Sequence, residues 1–256
     1  MIISMKNIKI KITPVKNEYI EFLEKPYPAN TKYPDWIKTL PTYYTKERSI
    51  DQFNMPTATI KNCMPVRDLI SCGYHIPLPC DVWVERTFDG EGNQNVDFKW
   101  ALTNLPLVEP HMEIQSKGYP ISPTEYEKVP FKFNNFWIIE TPPDWSCMFV
   151  HPSYYDDLPF HTLGGLVDTD KFPLSVNFPF FLKKDFAGLI PKGTPIVQVI
   201  PFRRDNFELK FQKYNNSLLY RWYRASASFF NIYKDNFRTK KNFSTEKCPF
   251  HSFFGK

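Results

Sequence analysis

Apolar residues along this chain fall mostly into short runs of period two, and a helical period is sustained only towards the C-terminus. Residues 7–15 alternate Ile8, Ile10 and Ile12 with Lys9 and Lys11, the pattern of a half-buried strand at a sheet edge. Residues 57–61 suit a strand. Residues 65–72 suit a short helix with proline in its first turn and Gly73 at its end. Strands are predicted over 74–78 and 81–87. Asp89-Gly90 and Gly92-Asn93 mark a hairpin turn, after which Val96, Phe98, Trp100 and Leu102 alternate on the returning strand. Residues 106–135 hold Pro106, Pro110, Pro120, Pro123 and Pro130 and read as a long crossing loop that covers something or meets a partner. Strands over 136–141 and 146–150 flank a Pro142-Pro143-Asp144 turn.

Residues 164–202 organise the rest. A Gly164-Gly165 turn leads to Val167-Asp168 and Asp170. Two or three short strands follow, joined by turns at Gly188 and Pro191-Lys192-Gly193 and closing with 194–202. Residues 206–214 suit one more strand. From 217 to 237, Leu218, Trp222, Ala225, Phe229, Ile232 and Tyr233 share one helical face. The expected fold is therefore mainly β, an antiparallel barrel or sandwich over roughly 57–214 with one long C-terminal helix. One β-rich domain over 1–214 includes an N-terminal arm over 1–56, and residues 215–256 add the helix and an aromatic tail.

Composition sharpens this picture. The 256 residues include 24 Pro against 9 Gly, and 17% are aromatic, which favours short strands and ordered, aromatic-packed loops over long helices. The arm is densest in such residues, with a helical turn expected near 35–39 after Tyr33-Pro34. A formal charge of +5 tolerates an anionic partner without demonstrating one. Lys and Arg gather in the C-terminal third, but helix arginines opposite an apolar stripe suit a solvated face, so nucleic acid is not indicated. No apolar run reaches membrane-spanning length. Five cysteines, none in a CxxC pair, suit reduced thiols better than a zinc site.

The candidate chemistry sits in an acidic loop. Asp156, Asp157, Asp168 and Asp170 fall within fifteen residues, beside His151 and His161. Such a set could bind a divalent metal ion or supply a carboxylate base; alternatively the aspartates only organise turns. Asp168 follows two apolar residues that should hold it near a buried edge, where a carboxylate is costly unless bonded, metal-bound or used. It is the candidate catalytic residue. His151, His161 and Asp170 are the candidate ligand-binding partners, and Gln198 on the closing strand is a supporting hydrogen-bonding group.

Two resemblances add to this. The stretches TIKNCMPVRDLISCGYHIPLPCDVWV, FVHPSYYDDLPFHTLGGLVDTD and GLIPKGTPIVQVIPFRRD resemble an uncharacterised protein family of T4-like tailed phages of marine bacteria. That implies a viral origin, with the infected host's cytoplasm or the virion as location, and a virion or host protein as partner. The Gly165–Asp170 segment, the 190–198 segment and Gly73-Tyr74-His75-Ile76 are similar to the dUTPase and dCTP-deaminase superfamily, implying a small all-β fold of the β-clip type. Where that superfamily places its phosphate-binding Arg-Ser pair, this chain has His151-Pro152-Ser153. Lys171-Phe172 replace its stacking tyrosine, and a glycine-rich C-terminal lid is missing. Three functions stay open: binding or processing of a nucleotide-like small molecule, a structural or assembly role in the virion, and binding of a host factor. Proline- and aromatic-rich arms suit a homo-oligomer with residues 1–45 or the tail after Arg238 crossing between subunits.

Overall fold

The computed structural model describes residues 8–44, 57–92, 94–226 and 233–239. They belong to two compact units. The first comprises Met1–Ala29 with Gly73–Arg204, and the second Asn30–Cys72 with Asp205–Lys256.

The first unit is built from antiparallel strands. In chain order they are β1 (Lys11–Pro14), β2 (Tyr27–Pro28), β3 (Tyr74–Pro77), β4 (Val82–Phe88), β5 (Gln94–Trp100), β6 (Val108–Pro110) and β7 (Phe131–Phe133). There follow β8 (Trp137–Glu140), β9 (Trp145–Val150), β10 (Phe160–Thr162), β11 (Gly165–Val167), β12 (Phe178–Leu182), β13 (Gly188–Ile190) and β14 (Pro195–Arg203). A five-stranded sheet runs β11-β9-β14-β3-β2, a four-stranded sheet β10-β12-β7-β6, a three-stranded sheet β13-β4-β5, and β1 pairs with β8. The chain is thus mainly β and antiparallel, as its period-two pattern implies. None of these sheets closes into a barrel, so the barrel alternative is excluded.

Phenylalanines make the core. Period two sends Phe178, Phe180 and Leu182 of β12 to one face, and Phe133 and Phe160 arrive from β7 and β10. Phe133 stacks on Phe180 at 3.9 Å between ring centroids, and Phe160 meets Phe133 edge-on at 5.1 Å. Phe149 of the five-stranded sheet reaches Phe178 at 5.7 Å, and Phe98 of β5 reaches Phe131 at 4.8 Å, so three sheets share the cluster. Each fully buried ring contributes about 1.5–3 kcal/mol of transfer free energy.

Several elements depart from the sequence reading. β6, β7 and β10 were taken up in predicted loops; each is three residues long, and Pro110 ends β6, so no alternation had room to show. The stretch 164–202 holds four strands. Residues 57–61 form no strand: Ala58 makes a single bridge to Tyr43 and a 3-10 turn starts at Ile60. Residues 206–214 form no regular element and pair with no strand among the described residues.

α1 (Asp35–Thr39) is the helical turn expected after Tyr33-Pro34, and α2 (Met64–Ile70) starts with Pro65 in its first turn. α3 (Asn216–Ser226) begins where the Asn215 side chain accepts the Ser217 N–H at 2.9 Å. Of the predicted 217–237, the described residues show this helix through Ser226 and a π turn over Tyr233–Phe237, and 227–232 lie outside the described residues. Arg238 grips Asp68 of α2 through Nε and Nη2, the latter at 2.7 Å, while the tail beyond 239 lies outside the described residues. No helix described is long and apolar enough to cross a membrane.

Gly73 feeds β3 into the five-stranded sheet with φ +72°, and a Cβ there would stand 1.9 Å from the Val199 carbonyl oxygen of β14. Neither the dihedral nor the clash can be relieved cheaply, because the obstacle is backbone. Gly73→Ala should therefore cost about 3 kcal/mol or more, read as a lower urea midpoint at unchanged slope. Gly90→Ala, with no atom within 4 Å of its added methyl, should cost far less.

Candidate functional site

β11 runs beside β9 with Val167 opposite Cys147, and the chain then turns on Asp168. The carbonyl of Asp168 closes that turn, accepting the N–H groups of Lys171 and Phe172 at 2.9 Å each, which leaves its carboxylate for other work. β14 flanks β9 on the other side with Arg203 opposite Trp145, so Arg204 arrives at the same sheet end.

Arg204 organises what it meets there. Nη1 and Nη2 donate to the two oxygens of Asp170 at 2.7 and 2.5 Å, a fork on a fork. Nη1 also donates to the Trp145 carbonyl at 3.0 Å and to Ser146 Oγ at 2.8 Å. Ser146 Oγ donates in turn to Asp168 Oδ1 at 2.7 Å, and Arg204 stands 3.3 Å from that oxygen. The Asp144 N–H donates to Asp170 at 2.9 Å, and its carbonyl accepts the Arg204 N–H at 2.8 Å. Asp144 adopts φ +68°, a left-handed conformation that asparagine and aspartate tolerate better than most residues. The Asp170 side chain is 7% exposed and that of Asp168 48%. Hydrogen bonds from Arg204 hold the Asp170 carboxyl at about 2. Between the two acids, Thr169 turns inward to Thr141 Oγ1 at 2.8 Å and Cys147 Sγ at 3.4 Å.

The histidines form a separate group. His151 follows β9 at its far end, five residues beyond Ser146, roughly 17 Å away along an extended strand. Its Nδ1 accepts the Thr162 N–H at 3.2 Å and its Nε2 faces the Tyr155 carbonyl at 3.3 Å, so a neutral ring protonated on Nε2 satisfies both. His161 stacks on it at 4.7 Å. Burial first, then the neighbouring His161, push His151 down to about 4; burial lowers His161 too. Gln198 stands on this side as well. It is buried between Val150 of β9 and His75 of β3, and its Oε1 accepts the Ser153 N–H at 2.9 Å. His75 is buried, edge-on to Tyr27 and Tyr155.

The structure therefore brings Asp168 to Asp170, and His151 to His161 and Gln198, but does not bring the two groups together. Among the described residues no three of His, Cys, Asp and Glu converge as metal ligands, so the divalent-ion expectation finds no ligand set. Burial raises the Cys80 and Cys147 thiols, which disfavours the thiolate a nucleophile needs. Comparison with protein-family profiles, curated proteins and solved structures finds no match to this chain.

The residue that sequence reasoning missed is Arg204. Its signal was present: it directly follows the longest strand described, and the acids it pairs with lie just beyond β11, two strands away in the same sheet. What the site shows to solvent is a shallow depression of about 420 Å³, lined by Leu166, Val167, Asp168, Lys171 and Phe172.

Two measurements separate a structural clamp from a working carboxylate pair. Arg204→Ala strands the Asp170 carboxylate and should lower the thermal midpoint clearly, whereas Asp168→Asn keeps the Ser146 hydrogen bond and should barely move it. Stability should also fall in two steps with acid. Unfolded His151 binds a proton near 6.5 and the folded residue only near 4, so stability drops as pH falls across that interval. Unfolded Asp170 titrates near 3.8 and the folded residue near 2, so its contribution is present above 3.8 and lost towards 2. His151→Gln should flatten the first step in urea midpoints measured against pH and leave the second.

Proposed function

We propose that this protein works through protein–protein contact, as a structural or assembly component of a phage particle, rather than by chemistry at Asp168. One observation carries the reading. The outer edge of the five-stranded sheet exposes an apolar shelf around Asp168: Leu166 is 59% exposed, with exposed Met148 opposite it on β9 and exposed Phe172 lining the same depression. Met148 and Leu166 are register partners on neighbouring strands, so they form one continuous surface. Apolar surface rimmed by Lys171, Asp168 and Arg204 is what a protein interface looks like before its partner arrives. The phage-family resemblance makes a virion partner the specific form of the reading.

Small-molecule binding is the second reading, favoured by the depression that Asp168 lines. A nucleotide ligand of the dUTPase kind would need phosphate-binding arginines, and here Arg204 is already committed to Asp170. The β-clip likeness bears on fold and lends the small-molecule reading no chemistry.

A photo-crosslinking residue at position 148, opposite Leu166 on β9, introduced during infection, tests both. The proposal expects a cross-link to a structural protein of the particle, and a loss of that contact by about tenfold or more in Leu166→Ser, with folding unchanged. No protein cross-link, together with a small molecule bound in native mass spectrometry and lost in Asp168→Asn, would establish the second reading instead.

A further inference from the structure

Residues 206–212 read Asn-Phe-Glu-Leu-Lys-Phe-Gln, a strict alternation of apolar and polar side chains. The segment forms no regular element, it pairs with no strand among the described residues, and its apolar residues stand in water: Phe207 is 95% exposed, Leu209 83% and Phe211 93%. A strand pattern this strong, with this much apolar surface uncovered, requires a sheet edge to complete it.

β5 is that edge. It is the outer strand of its sheet, seven residues long, whereas the other outer strands described have two to four. Its inner face, Val96, Phe98 and Trp100, packs on the aromatic core yet remains half-exposed. Its outer face presents Asn95, Asp97 and Lys99.

Charge selects one register. Antiparallel pairing of Phe207 with Trp100 sets Leu209 on Phe98 and Phe211 on Val96, continuing the apolar face. The same register sets Glu208 on Lys99, Lys210 on Asp97 and Gln212 on Asn95, so both charge pairs are opposite in sign. A slip of two residues one way puts Glu208 on Asp97, and the other way Lys210 on Lys99. Parallel pairing with the apolar residues aligned sets Glu208 on Asp97 and Lys210 on Lys99, repulsive at both. Asp97 also lies directly opposite Glu85 on β4, whose charge Lys99 already meets at 2.5 Å, so an incoming lysine would bring a second cation to two facing acids.

We infer that residues 207–213 of one copy of this chain add as a strand to β5 of a second copy, in reciprocal exchange that closes a dimer. The inference does not rest on the function proposed above, since it uses a different segment and a different edge.

Charge reversal tests it in trans. Light scattering on the full chain, over a dilution series, should show a concentration-dependent dimer for the wild type. Lys210→Glu and Asp97→Lys, each alone, should weaken association by about tenfold or more. Lys210 is exposed, and Asp97→Lys removes a repulsion with Glu85, so both variants should fold, as their circular dichroism would verify. An equimolar mixture of the two variants should associate again, because each arm then meets the opposite charge on the other copy. The single chain carrying both changes should also dimerise. A monomeric wild type, association indifferent to either reversal, or recovery in the double variant without recovery in the mixture would each overturn the inference, the last by showing that the arm seats on its own chain.

Discussion

A guanidinium held against a nearly buried carboxylate governs this molecule's candidate site. Asp170 cannot stay ionised at 7% exposure without partners, and Arg204 supplies the charge while the Asp144 N–H supplies a second donor. The consequence spreads along three chain segments. The 141–146 turn, the 167–172 turn and the end of β14 are tied to one another through that pair, with Ser146 as the link to Asp168. A carboxylate fixed in this way stays charged far below neutrality, which suits a clamp and disqualifies a general base.

With the clamp in place, the distribution of apolar surface becomes the informative feature. The first unit gathers phenylalanines from four strands into one cluster and buries them thoroughly. Large apolar residues nevertheless remain outside, along the β11 edge and on the segment after Arg204. A chain that packs its interior this well has no need of Leu166 or Phe207 for folding. Their exposure is explained most economically by partners, and the two places call for different ones: a shelf for a surface, and a strand for an edge.

Much of the architecture was legible in residue order. The 81–100 hairpin was readable because its turn residues sit between two long alternating runs, and α2 because proline and glycine bracket it. The three-residue strands were not, since three positions cannot display a period and their identity is fixed by what pairs with them. Sequence proximity misled at the site. His151 and His161 lie close to Asp168 in number, but β9 carries the chain from one end of the sheet to the other, so the histidines and Asp168 stand at opposite ends. Arg204 stands 34 residues from Asp170 and is its nearest charged partner. The Asp168–Asp170 pairing was visible from spacing; the group that neutralises it needed the strand order.

The central proposal is that this chain belongs to a phage particle or to its assembly precursors. Quantitative mass spectrometry of gradient-purified particles, set against the lysate from which they came, tests it most directly. The account predicts the protein in the particles, or in their assembly precursors, at a fixed ratio to the other structural proteins. Its recovery only in the free lysate fraction, absent from particles and precursors alike, would contradict the account.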